Sequence, residues 1–267
     1  MIARPLRRAK FRFEQFVARR AMSVAGFLFR DVRCLTDLFL PHFAEPVEWI
    51  SGVSNSVWLL YGSVRALKPQ VIVEIGSSRG LSTCAMALAC FHNESGRVYA
   101  IDPHERNPWT DRGTTGNSLP FLRERLARYR LGQWCEILRD YSHNVAKQWN
   151  RPIDFLFIDG DHSYAGVKSD FEAFAPWLTP NAVVAFHDSG WQDTTRIEGF
   201  TQEMGVPKYL EELRSAGYQS VTFPTLPGLT LLQAHPGGYR FLGGGIAEYD
   251  RGQWLFRPPN PPLTDSR

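Results

Sequence analysis

One ten-residue stretch constrains this chain more than any other: Val71-Ile-Val-Glu-Ile-Gly-Ser-Ser-Arg-Gly80, followed directly by Leu81-Ser-Thr-Cys-Ala-Met-Ala87. A β-branched apolar run ends in an acid, breaks at Gly76, and resumes after Gly80 with helix-forming residues. That order predicts a strand, a tight glycine turn and a helix N-terminus, the device with which α/β proteins hold a nucleotide-like ligand. One helix and one strand later comes Arg97-Val-Tyr-Ala-Ile-Asp102, a second strand ending in a carboxylate suited to ribose hydroxyls. The glycine spacing narrows the ligand further. A dinucleotide fingerprint wants a middle glycine that lets the backbone approach a pyrophosphate. Here that position is Ser78, and the pattern reads Glu74-x-Gly76-x-x-x-Gly80.

The same alternation continues along the chain. Asn55–Leu67 reads as a helix leading into the first strand, 71–75, whose following helix covers about 81–91. The second strand is 97–101, and a polar loop from Pro103 to Ser118 follows it. A loop of that length suits a substrate or lid segment, with Trp109, Arg112 and Asn117 able to meet a sugar, or else a plain surface excursion. Phe121–Leu131 reads as a helix closed by Gly132, 134–138 as the third strand, 142–149 as a short helix and 153–158 as the fourth strand. Tyr164, Val167, Phe171, Phe174 and Leu178 mark an amphipathic helix. After a Pro180-Asn181 turn, 182–186 is the fifth strand, 207–216 a helix, and 218–223 with 229–233 a hairpin-like pair. Strands alternating with helices imply a doubly wound, Rossmann-like parallel sheet, to which the hairpin adds one antiparallel strand. The chain then divides into an N-terminal helical extension over 1–54, an α/β core over 55–235, and a Gly/Pro-rich tail over 236–267, expected to be extended or partly disordered.

Charge is distributed unevenly. The net charge is +3, yet residues 1–20 carry Arg4, Arg7, Arg8, Lys10, Arg12, Arg19 and Arg20 against Glu14 alone. The remainder is therefore about −3, which argues against nucleic acid as a partner of the core. Leu6, Phe13, Phe16, Val17, Val24, Phe27 and Leu28 recur at helical spacing through the basic region. Two uses suit such a helix: packing on the domain or on a second copy in a homo-oligomer, or lying peripherally on an anionic membrane surface. A signal peptide fits poorly, because the apolar run 21–29 is short and ends in Arg30-Asp31. No stretch approaches the roughly 20 apolar residues that span a bilayer. Cys34, Cys84, Cys90 and Cys135 are scattered, with neither zinc spacing nor a disulfide framework, so a reducing cytoplasm is the expected setting.

A second constellation follows the fourth and fifth strands. Ile158-Asp-Gly-Asp-His-Ser-Tyr164 ends one strand and His187-Asp188 ends the next. Both loops open on the sheet edge that carries Gly76–Gly80, where ligands bind. Three carboxylates, Asp159, Asp161 and Asp188, and two imidazoles, His162 and His187, therefore converge. Such oxygen and imidazole donors suit Mg²⁺, Mn²⁺ or a similar ion. Plainer roles are open to the same residues: Asp159 as a helix cap, His162 as a helix-start residue bonded to backbone, His187 as a satisfied strand-end histidine.

The first element resembles motif I of the class I S-adenosylmethionine (SAM)-dependent methyltransferases, and the order of elements over 55–235 resembles their seven-stranded core, six strands parallel and one antiparallel. The resemblance implies SAM as cofactor, held by Glu74, Gly76, Ser77, Ser78 and Gly80 of the first element, with Asp102 on the ribose and Asp140 and Tyr141 beside the adenine. The block Phe155-Leu-Phe-Ile-Asp-Gly-Asp-His-Ser-Tyr164, with Asp170 and Phe186-His-Asp188, is similar to the branch of small-molecule and sugar O-methyltransferases. That branch includes macrolide-sugar methyltransferases, the cephalosporin hydroxylase-like group and, more remotely, catechol-type enzymes. It implies O-methylation of a hydroxyl on a sugar or small-molecule acceptor, with a divalent ion at Asp159 or Asp161 and at Asp188. His162 is then the expected general base, with His187 beside it. Relatives more often carry Asp-Asn or Glu-Asp where this chain has His187-Asp188. Two other readings share the strand–turn–helix: a nicotinamide-dependent oxidoreductase, which wants glycine at position 78, and a non-catalytic SAM- or nucleotide-binding protein at a membrane surface.

Overall fold

A computed structural model describes residues 56–105, 117–191, 204–223 and 227–236, together with the backbone of short strands at 239–240, 246–250 and 253–257. The basic helix expected over 1–40, with most of the 103–118 loop including Trp109 and Arg112, lies outside the described residues. The core elements in chain order are α1 (Val57–Leu67), β1 (Val71–Ile75), α2 (Leu81–Asn93), β2 (Arg97–Ile101), α3 (Leu119–Arg128), β3 (Cys135–Leu138) and α4 (Ser142–Gln148). They continue as β4 (Ile153–Ile158), α5 (Tyr164–Phe174), β5 (Leu178–His187), α6 (Val206–Ser215), β6 (Ser220–Phe223) and β7 (Leu229–Gln233). Among the described residues no helix is long and apolar enough to cross a membrane.

The seven strands form one sheet in the order β3-β2-β1-β4-β5-β7-β6. β1 to β5 run parallel to one another, and β7 runs antiparallel to both β5 and β6, so six strands point one way and one the other. The near-continuous apolar runs of β1, β2, β4 and β5 follow from burial on both faces. On one face Ile72, Phe155 and Phe157 pack under Leu60, Val64 and Met86 of α1 and α2. On the other, Val73, Leu156 and Val184 pack under Phe171 and Phe174 of α5 and Tyr209 of α6. Cys84, Cys90 and Cys135 are free, buried thiols; burial pushes Cys90 up to about 12, which leaves it chemically quiet.

Prolines account for most boundaries that differ from the expected ones. α3 starts two residues early because Pro120 sits in its first turn, where a missing N–H costs nothing. α5 gives way at Phe174 to a 3₁₀ turn, Ala175–Trp177, containing Pro176. The Pro180-Asn181 turn expected before the fifth strand lies within β5. Register runs from Ile153↔Leu178 to Phe155↔Val183, so the extra residues bulge outward without ending the strand. The tail differs more. Instead of extended chain, β8 (Tyr239–Arg240), β9 (Ile246–Asp250) and β10 (Gln253–Arg257) form a small antiparallel sheet. Asp250 pairs with Gln253 across Arg251-Gly252, a two-residue connection between alternating runs.

Candidate active site

The strand order reverses between β1 and β4, with β2-β3 on one side and β5 on the other. A crevice at the carboxyl ends of such strands is the general ligand site of open α/β sheets. Two loops meet there. The Gly76 N–H donates to the Ile101 carbonyl at 2.9 Å and the Asp159 N–H to the Ile75 carbonyl at 2.9 Å. Gly76 has φ +89°, and a Cβ there would lie 2.0 Å from the Asp159 carbonyl oxygen. Only glycine permits both this conformation and this approach.

The glycine loop is tied to the acid after β2. Ser78, at φ 41°, donates its N–H to Asp102 Oδ2 at 2.7 Å, and the His104 N–H donates to Asp102 Oδ1 at 2.6 Å. A left-handed conformation is uncommon for a non-glycine residue, so the Ser78 backbone is held there by its surroundings. Asp102 remains partly accessible, and each oxygen keeps a further lone pair for a ligand hydroxyl. Ser77 is buried and its hydroxyl has no hydrogen-bond partner, as expected of a group that awaits a ligand. Gly80 caps α2 without a side-chain bond, leaving the first helical N–H groups directed at the loop.

Glu74 is fully buried, and its two oxygens accept from the Ser82 and Thr83 hydroxyls in the first turn of α2. Burial raises its carboxyl to about 8 against those two hydrogen bonds, with the Asp159 and Asp102 charges adding to the rise. The acid expected to face the cofactor thus lies beneath the loop. At the far side of the mouth, Asp140 accepts from the Tyr141 N–H and from Asn144 Nδ2, forming the turn that opens α4. Tyr141 is about half exposed, stacks on His143, and donates its hydroxyl to Glu105. Asn117 accepts from the Leu119 N–H at the start of α3, so it serves the helix end.

The second constellation assembles around Asp188. His162 Nδ1 lies 3.2 Å from Asp188 Oδ2, His187 Nδ1 lies 3.1 Å from the same oxygen, and Trp191 Nε1 donates to Oδ1 at 2.8 Å. His187 Nδ1 is also 2.9 Å from Asp159 Oδ1. Asp188 is left-handed, at φ 56°, which turns its side chain back over the end of β5. Burial alone would raise the Asp188 carboxyl, but the His187 and His162 charges and the His187 and Trp191 hydrogen bonds outweigh it and hold it at about 2. Burial likewise opposes charge on His187, yet Asp159 and Asp188 raise it well above the ordinary histidine range.

The two imidazoles differ in access. The His162 side chain is 16% exposed and the His187 side chain 3%, so only His162 can meet an incoming group. His187, expected among the catalytic residues, is buried: its Nδ1 lies within reach of Asp159 and Asp188, and its Nε2 is buried without a partner. Asp159 and Asp161 are placed differently. Ligand atoms of Asp159, His162 and Asp188 all lie within 4.8 Å of one another. Asp161 is exposed and accepts from the Ser163 N–H at the start of α5, outside that group. The group of donors close enough to share an ion thus includes His162 where Asp161 was expected. Asp170, beneath Gly160, accepts from the Ser142 hydroxyl and links this loop to α4; burial raises it to about 6 against that bond, with the Asp161 charge adding to the rise. Sequence reasoning missed Trp191, Ser82 and Thr83, for none stands in a spacing that marks it.

Comparison with known proteins agrees with this geometry. Residues 73–189 match the family model of a methyltransferase domain, and this stretch holds both constellations. Together with the sheet order, this match gives the chain the fold of the class I methyltransferases. Over 211 residues the chain is 30% identical to an uncharacterized protein of Sinorhizobium fredii, y4gI, covering 78% of this chain; it spans about a fifth of that relative's length. Among solved structures it is similar to the S-adenosylhomocysteine-bound methyltransferase PaMTH1 of Podospora anserina, with TM-score 0.56 and 15% identity over 75% of this chain and 87% of that one. It is also similar to the O-methyltransferase TomG of Streptomyces achromogenes, with TM-score 0.54 and 17% identity over 82% and 98%. At these identities the likeness establishes the fold.

Proposed function

We propose that this chain is a SAM-dependent O-methyltransferase acting on a hydroxyl of a sugar or small-molecule acceptor, with His162 as general base. The observation that carries the reading is one accessible imidazole, backed by a buried carboxylate, on the same sheet edge as the glycine loop and Asp102. The buried, unpartnered Ser77 hydroxyl beside the glycine turn suits a polar ligand there, Ser78 stands where a dinucleotide fingerprint wants glycine, and the similar structures include SAM- and S-adenosylhomocysteine-bound proteins. When bound, SAM supplies a methyl group on a sulfonium, reactive toward an oxygen nucleophile.

The chain must then align the acceptor and take its proton. Asp188 beside Nδ1 favours the tautomer with a proton on that nitrogen, which leaves the Nε2 lone pair to accept the hydroxyl proton. The resulting imidazolium is stabilised by the Asp188 charge. His187 keeps Asp188 and Asp159 in place, and the Asp102 carboxylate offers acceptors to a ribose. His162→Ala should lower kcat by about 10²–10⁴-fold while S-adenosylhomocysteine affinity stays within about twofold. Wild-type turnover in that variant would remove His162 from the chemistry.

A second reading has its own observation. The donors of Asp159, His162 and Asp188 are close enough to share one divalent ion, and two carboxylates with an imidazole suit Mn²⁺ or a transition ion better than Mg²⁺. Such an ion would lower the pKa of a bound hydroxyl, and His162 would then be a ligand and not the base. Turnover of chelator-treated protein, with and without added Mn²⁺, separates the two.

A further inference from the structure

We propose that Trp191 is a positioning residue for His162, acting through Asp188, and that Trp191 and Gly205 each fix one member of the His162–Asp188 pair. The role in catalysis rests on the reading of His162 as base. Asp188 has two oxygens and three neighbouring donors. The two imidazole Nδ1 atoms share Oδ2 at 3.1 and 3.2 Å, while the Trp191 indole N–H holds Oδ1 at 2.8 Å. Without the indole, the carboxylate is able to rotate about its last bond and present either oxygen to the histidines. With it, the plane of the carboxylate is set, and Oδ2 faces His162.

A second contact acts on the other partner. Gly205, the N-cap of α6, donates its N–H to the His162 carbonyl at 2.8 Å. A Cβ at Gly205 would lie 2.0 Å from the Tyr164 backbone nitrogen, so the contact exists only because that residue is glycine. Trp191 and Gly205 therefore grip Asp188 and His162 respectively. The consequence is a defined tautomer at His162: the Nδ1 proton faces a carboxylate whose orientation is fixed, and the basic nitrogen is Nε2.

The test is the position of the imidazole proton, read by long-range ¹H–¹⁵N spectra of histidine-labelled protein recorded along a pH series, at the point where the His162 ¹⁵N shifts themselves report a neutral ring. In the wild type His162 should show a protonated Nδ1 and an unprotonated Nε2. Trp191→Phe keeps a ring but lacks the N–H; it should move His162 toward the Nε2–H form while leaving the exposed His143 unchanged. Trp191→His, which restores a ring N–H, should recover part of the wild-type pattern. Once an acceptor is in hand, Trp191→Phe should lower kcat about tenfold with cofactor affinity within about twofold. Superimposable His162 spectra in wild type and Trp191→Phe would overturn the proposal. So would a Trp191 indole proton in the wild type that exchanges like an exposed one, a measurement that needs no variant to fold. S-adenosylhomocysteine titration of the same samples keeps the two ideas apart: loss of that binding in the wild type contradicts the methyltransferase reading, while the tautomer still decides the role of Trp191.

Discussion

Glu74 and Asp188 show how differently two acids at one sheet edge can be set. Asp188 is ringed by donors and stays ionised; Glu74 is enclosed by α2 and has only two hydroxyls to offset its burial. The folded chain retains a proton at Glu74 up to about pH 8, whereas the unfolded chain releases it near 4.5. The folded state binds more protons across that window, so this residue makes stability fall as pH rises from 4.5 to about 8. Glu74→Gln keeps the shape and can bond both hydroxyls without ionising. Its stability relative to wild type should therefore grow across the window, by on the order of a few kcal/mol. Urea unfolding of both proteins at several pH values checks this; parallel pH profiles would mean that Glu74 ionises freely. The residue types at the site were legible in the sequence, since Glu74, Asp102, Asp159 and Asp188 all stand at strand ends. Their hydrogen bonds were not. Whether a strand-end acid faces the mouth or a helix depends on what packs over it, and Ser82, Thr83 and Trp191 lie in no recognisable spacing.

At the scale of elements, the strand–turn–helix from Val71 to Asn93 dominates the account. Its turn works because Gly76 brings β1 against the loop after β4, and Gly76→Ala should test that contact. The substitution adds a strained backbone and a steric overlap with Asp159, costing about 2–4 kcal/mol. It should also displace the Asp159–His162 loop, so S-adenosylhomocysteine affinity should drop at least tenfold in calorimetry. A variant with wild-type stability and affinity would mean that the two loops are not coupled there. Strands β1, β2 and β4 matched their expected bounds to the residue, because their apolar runs end abruptly at Gly76, Asp102 and Asp159. Pro180 misled because a proline that stops an exposed strand can be absorbed by a bulge when the strand lies between two neighbours. The tail misled because its Gly and Pro content masked two short alternating runs, 246–250 and 253–257, whose pairing needs only a two-residue turn.

At the scale of the molecule, the sheet order brings both constellations to one reversal point. The ends of β1 and β2 carry the glycine loop and Asp102 on one side, and the ends of β4 and β5 carry His162, His187, Asp159 and Asp188 on the other. The alternation of strands and helices made this topology legible, since right-handed crossovers leave few ways to wind such a chain. The acceptor was not legible. No spacing in the sequence marks an acceptor site, and the polar loop after β2 stands out by composition alone. The central claim concerns the cofactor, and it does not depend on knowing the acceptor. Isothermal titration of metal-stripped protein with S-adenosylhomocysteine, with NAD as the control, tests it directly. Micromolar binding of S-adenosylhomocysteine and none of NAD is the expected result; binding of NAD, or of neither, would contradict it.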